Sequence, residues 1–148
     1  PQPGTFDDTA KEVLSEAQRR FDETEKNLRE CHFRAALQSA MFLAQAANRY
    51  LDTKAPWRAV KEDMEDAATT LWVGMTVINC LKTMFDPFLP FSSEKLHTLL
   101  GLDGTVQDEG WVWSQDAMKP GASLPAPQPL FTKLDDSIIE EETARLGK

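Results

Sequence analysis

The chain is short of cysteine and histidine and has no long apolar run, and each shortage removes a class of function. Its two cysteines, Cys31 and Cys80, are too few to staple a secreted scaffold. Both fall within apparent helices and read as small hydrophobes of a protein in the reducing cytoplasm. Cys31 and His32 are adjacent, but neighbouring helical residues point about 100° apart. With His97 the one further imidazole, the ligand count argues against a metal site. No stretch approaches the roughly 18 uninterrupted apolar residues of a membrane span. The start, Pro1-Gln2-Pro3-Gly4, has neither the basic head nor the apolar core of a secretion signal. It also lacks an initiating Met, so the chain reads as a piece of a longer polypeptide or a processed product. Gly-rich phosphate loops and the nucleophile elbow are missing too, so no catalytic residue is assigned. The carboxylate-dense run from Lys61 to Asp66 lacks metal-loop spacing and reads as a solvated helix face.

What is present is an ordinary globular composition in 148 residues, 41% hydrophobic and 27% charged, with room for one domain. The periodicity predicts an all-α fold, an antiparallel helical bundle. A first amphipathic helix over 6–30 turns Val13, Leu14, Ala17, Phe21 and Leu28 inward, with Asp7 or Asp8 as its cap. A second, buried helix over 33–51 carries Phe33, Ala36, Leu37, Ala40, Ala44, Ala47 and Leu51. Pro56 ends it at or before Lys54 and opens a short helix to about Asp63. The third long helix, 65–85, is predicted to bury Ala68, Leu71, Trp72, Met75, Ile78, Leu81 and Phe85. After the turn Pro87-Phe88-Leu89-Pro90-Phe91, a short helix capped by Ser92 or Ser93 runs to Leu100 and stops at Gly101. Residues 102–128 read as irregular, anchored by Trp111 and Trp113. The capping-box pattern Ser137-Ile138-Ile139-Glu140 starts a last acidic helix to Leu146.

The net charge of −8 argues against non-specific nucleic-acid binding, because an acidic body repels phosphate. The turn over 48–61 departs from that background. It holds Arg49, Lys54, Arg58 and Lys61 against the single acid Asp52, a surplus of three positive charges. Tyr50 and Trp57 are interleaved with these cations. Aromatic rings among cations stack unpaired bases and hold their phosphates, although the same arrangement also occurs as plain packing.

The same residues carry a resemblance. Asn48-Arg49-Tyr50-Leu51-Asp52-Thr53-Lys54-Ala55-Pro56-Trp57 resembles the Asn-Arg-Tyr-x-Asp-x-x-Ala-Pro-Trp motif of methionyl-tRNA synthetase anticodon-binding domains. Pro87 to Lys95 is similar to that family's proline-bracketed turn and helix, and Leu99-Leu100-Gly101 to its end. Pro129-Leu130-Phe131, with Lys133 and Leu134, is similar to the family's closing motif, with Thr132 in place of a proline. The likeness runs from about 33 to 135.

It implies a helix-bundle domain of the class I synthetase type over 1–135, with an acidic helix or tail over 136–148. The implied partners are tRNA, through the methionine anticodon loop, and the catalytic domain of the same parent chain, with no DNA and no membrane. No cofactor is implied in this chain, whose parent would use ATP with Mg; the chain would be inactive alone. Trp57 inherits the stacking role and Pro56 fixes the corner that presents it. Asn48, Arg49 and Lys54 serve as tRNA-binding residues or as supports, Arg58 and Lys61 face phosphate, and Asn48 and Tyr50 lean towards structure. The family's first bundle helix, with its base-contacting Asn and Arg, has no counterpart here. Feeble isolated tRNA affinity and an exposed apolar groove follow from that. The matching domain of a leucine, valine or isoleucine enzyme, and an acidic protein-interaction scaffold, stand as alternatives.

Overall fold

The computed structural model describes residues 2–133, 135 and 137–146. Pro1 and Leu134, used above, lie outside the described residues, as do Asp136, Gly147 and Lys148. Three 22-residue helices form the body: α1 (Asp8–Arg29), α2 (Phe33–Lys54) and α4 (Met64–Phe85). Shorter helices connect and flank them: α3 (Pro56–Ala59), α5 (Pro90–Leu99), α6 (Val106–Glu109) and α7 (Ser137–Leu146). The described residues contain no strand, so the all-α expectation holds.

Local chemistry sets the ends of these helices. The Asp7 carboxylate accepts from the Ala10 N–H at 2.8 Å and caps α1. Pairs such as Arg29–Glu25 and Arg20–Glu16 lace its solvent face. Cys31 lies in the turn between α1 and α2 at φ +59°, outside either helix, contrary to its helical assignment from sequence. It is exposed, whereas Cys80 is buried. The helix predicted to reach Asp63 stops at Ala59, because Asp63 is spent as the cap of α4, accepting from the Asp66 N–H at 3.0 Å. Neither Ser92 nor Ser93 caps α5; Pro90 opens the helix two residues earlier, with its fixed φ at the first position. The irregular stretch contains α6, closed by a Thr105–Asp108 capping box, and a 3-10 turn over Gln115–Ala117. Ser137 is already the first residue of α7, with Asp135 accepting its N–H, so it is not the cap the pattern suggested.

The core lies where α1, α2 and α4 meet. Ala17, Ala40 and Ala47 let the helices approach, while Leu14, Leu43, Val73, Val77 and Met84 fill the space between them. Leu28 is only half-buried, and Thr24 takes the inward position above it.

The face of α4 differs from the sequence expectation. Of the seven residues predicted inward only Trp72 is buried; Ala68, Met75, Ile78, Leu81 and Phe85 are half-buried and Leu71 is exposed. The buried side instead carries Thr69, Thr70, Thr76, Asn79 and Thr83. Two of these hydroxyls satisfy themselves on the helix, Thr69 on the Glu65 carbonyl and Thr76 on the Trp72 carbonyl. The chain then returns across this side. Trp113 Nε1–H donates to the Thr76 carbonyl and Trp72 Nε1–H to the Met118 carbonyl. Trp111 stacks on Phe21 with ring centres 5.0 Å apart, so both tryptophans anchor the segment as the sequence suggested.

α2 is likewise not buried throughout. Phe33, Leu37 and Met41 form an exposed ridge beside the open side of α4. An apolar groove of about 470 Å³ is lined by Met41, Ile78, Phe85, Leu89, Leu130 and Phe131.

Candidate nucleic-acid interface

The corner between α2 and α4 is built from a single backbone reversal. α2 runs to Lys54, and Ala55 then takes φ +41° and ψ +59°, the left-handed region. A residue before proline is already pushed out of right-handed helical geometry, and here the left-handed well is the exit taken. Pro56 follows as the first residue of α3 and is buried, with its ring plugging the corner. The next side chain, Trp57, is 57% exposed. An indole open to solvent on a proline-stiffened turn is presented before any ligand arrives, so little ordering entropy opposes stacking.

The other residues of the motif divide by environment. Tyr50 is buried in the core cluster, and burial pushes its phenol above the ordinary value. Asn48, Arg49, Arg58 and Lys61 are exposed. Among the described residues none of these three cations forms an ion pair. Arg49 lies on the groove between α1 and α2, which Glu12 and Glu16 also line.

Lys54 is placed differently from a phosphate-facing cation. Its Nζ donates to Asp7 Oδ2 at 2.8 Å and to Asp66 Oδ1 at 2.5 Å, and its side chain is 16% exposed. The two carboxylates hold its ammonium above the ordinary lysine range, and Lys54 in turn pulls Asp7 down to about 2. The positive surplus of three counted along 48–61 therefore shrinks to one once Asp7 and Asp66 are folded against the corner.

These two acids are the residues that reading the motif alone missed. Asp7 reaches the site because the chain start is tied to α4, by the Gly4 N–H donating to Thr69 Oγ1 and by Phe6 stacked on Trp72. Asp66 sits in the first turn of α4, where the positive end of the helix dipole also favours a carboxylate. Both were visible, Asp7 as a helix cap and Asp66 in the acidic run, but nothing local joined either to Lys54.

Comparison with known proteins decides the family. The family model for the anticodon binding domain of methionyl tRNA ligase matches residues 1–148. This chain belongs to that family. A methionine–tRNA ligase of Roseiflexus sp. (strain RS-1) is 41% identical over 170 residues, covering 99% of this chain and 29% of that protein. A methionine–tRNA ligase of Dehalococcoides mccartyi is 50% identical over 125 residues, covering 84% of this chain and 22% of the relative. The chain thus spans under a third of the length of the curated relatives it matches. Among solved structures, the free methionyl-tRNA synthetase of Mycobacterium tuberculosis superposes with a TM-score of 0.79 at 24% identity, over 91% of this chain and 28% of that one. A methionyl-adenylate complex of the same enzyme gives 0.72 at 27%, over 90% and 26%. The anticodon-binding domain of a leucine, valine or isoleucine enzyme is therefore set aside as the parent family. In the described residues, no helix is long and apolar enough to cross a membrane.

Proposed function

We propose that this chain reads the anticodon stem-loop of the methionine tRNA as part of a cytoplasmic methionyl-tRNA ligase, whose catalytic domain joins methionine to that tRNA at the expense of ATP. The supporting observation is the Trp57 ring, exposed on a helix whose first residue is a buried proline. An unpaired base laid on that indole gains about 1–3 kcal/mol. Arg58 and Lys61 follow on the same turn and supply charge for the flanking phosphates, while Asn48 and Arg49 on the last turns of α2 approach the loop from the side. Pro56 contributes rigidity and Tyr50 anchors the end of α2 in the core.

The test is Trp57→Ala in the complete ligase. Because the ring is largely in water, the variant keeps its fold, and methionine activation stays at the wild-type rate. Loss of a stacked base lowers kcat/KM for tRNA by roughly tenfold or more. Unchanged charging kinetics with normal methionine activation would remove Trp57 from the interface and the proposal with it. Competition with anticodon-loop variants then tests the finer assignment; indifference to the methionine anticodon overturns it.

A further inference from the structure

We infer that Lys54 is a positioning residue, which by pairing with Asp7 and Asp66 locks the Ala55–Pro56 bend and so presets Trp57, and that it makes no phosphate contact of its own. The inference rests on the function proposed above and assigns this cation a different task from its exposed neighbours.

Three chain segments converge on one ammonium. Lys54 is the last residue of α2, Asp7 caps α1, and Asp66 belongs to the first turn of α4. These are the ends of the three long helices around the corner that carries Trp57. The lysine is largely buried between its two acceptors, at 2.8 and 2.5 Å, and reaching an RNA phosphate would break both bonds. The neighbouring residue explains why a lock is useful. Ala55 holds a left-handed conformation that alanine disfavours, and an extended alternative suits any residue before proline. Released, the bend relaxes towards that alternative and carries α3, with the indole, away from its present direction. Strain of this kind persists where the surroundings over-determine it, and Lys54 is the polar part of those surroundings.

A sign separates this role from direct phosphate binding. Asp66→Asn replaces a charged acceptor of Lys54 by a neutral, weaker amide oxygen and removes one negative charge from the corner. If Lys54 binds phosphate, the freed cation and the lost acid both tighten RNA binding. If Lys54 positions, the loosened bend weakens it. The measurement is the affinity of the complete ligase that carries this chain for a labelled RNA hairpin with the methionine anticodon in its loop, at low salt and a temperature where circular dichroism shows each variant folded. The positioning role predicts two- to tenfold weaker binding for Asp66→Asn and for Lys54→Met. It also predicts that the slope of log affinity against log salt stays unchanged for Lys54→Met, since no phosphate contact is lost.

A local readout accompanies these: the indole N–H resonance of Trp57, assigned by its loss in Trp57→Phe, shifts in Asp66→Asn while that of Trp113 does not. Unchanged or tighter binding by Asp66→Asn, or a slope reduced by about one in Lys54→Met, overturns the inference. Trp57→Ala keeps the two failures apart. If it weakens binding while Asp66→Asn tightens it, the function stands and the positioning role falls; if it changes nothing, the function itself falls.

Discussion

A lysine is tied to carboxylate near each end of α4, and the two ties differ in kind. At its start Lys54 reaches in from α2 and pairs with Asp7 and Asp66 at the edge of solvent. Near its finish Lys82, on α4 itself, is fully buried against Glu109 and His97. The Asp103 carbonyl can only accept from His97 Nε2 at 3.1 Å, which leaves Nδ1 to accept from the Lys82 ammonium at 3.3 Å. One lysine is enclosed by its partners, with its own side chain wholly out of water. The other is clamped where water and a ligand have access. A buried pair is costly to break because the survivor stays unsolvated, whereas a half-exposed pair is cheap to break and its effect is felt mainly in geometry.

The contrast predicts an ordered set of effects. Glu109→Ala, which leaves the fully buried Lys82 ammonium without its carboxylate, is expected to destabilise the fold by about 3–5 kcal/mol. At this chain length that is roughly a 10 °C fall in Tm by calorimetry, and a loss below about 1 kcal/mol would erase the distinction between the two ties. Next is an acid titration at the other end. Asp7 drops from 3.8 to about 2 on folding, chiefly through its bond to Lys54. Its contribution is therefore complete above pH 4 and fades as pH falls from 3.8 towards 2. Asp7 is about half exposed, so screening keeps this below about 1 kcal/mol. Asp7→Asn should flatten stability against pH in that window alone; an unaltered profile would place the titration elsewhere. The smallest effect is that of Ala55→Gly. Glycine adopts φ +41° without penalty but loses more freedom on folding, so stability rises by at most about 1 kcal/mol. A marked loss of stability in urea unfolding would mean that residue 55 is not strained as described.

How much of this was legible in the sequence depends on the range of the forces involved. The Ala55–Pro56–Trp57 corner was readable because proline acts on its immediate neighbours, and the ends of α2 and α4 fell within a few residues of their predicted places. The inward face of α4 was not readable. Leu71, Met75 and Ile78 form an apolar stripe that periodicity assigns to the core, yet the returning segment through Trp113 and Met118 covers the threonine side instead. Threonines that bond their own helix carbonyls bury cheaply, and a pattern rule counts them as polar. The occupation of Lys54 was invisible for another reason. Its partner Asp7 is 47 residues away, and only the docking of the chain start on α4 brings them together. The same holds for Lys82 and Glu109, separated by 27 residues.

The straight run of α4 has a consequence for anything that grips this molecule. Its 22 residues make a rod about 33 Å long. Because cross-links to other helices secure both tips, neither tip slides or pivots without its counterpart. A shift at one tip of this rod is therefore felt at the far tip, about six helical turns away.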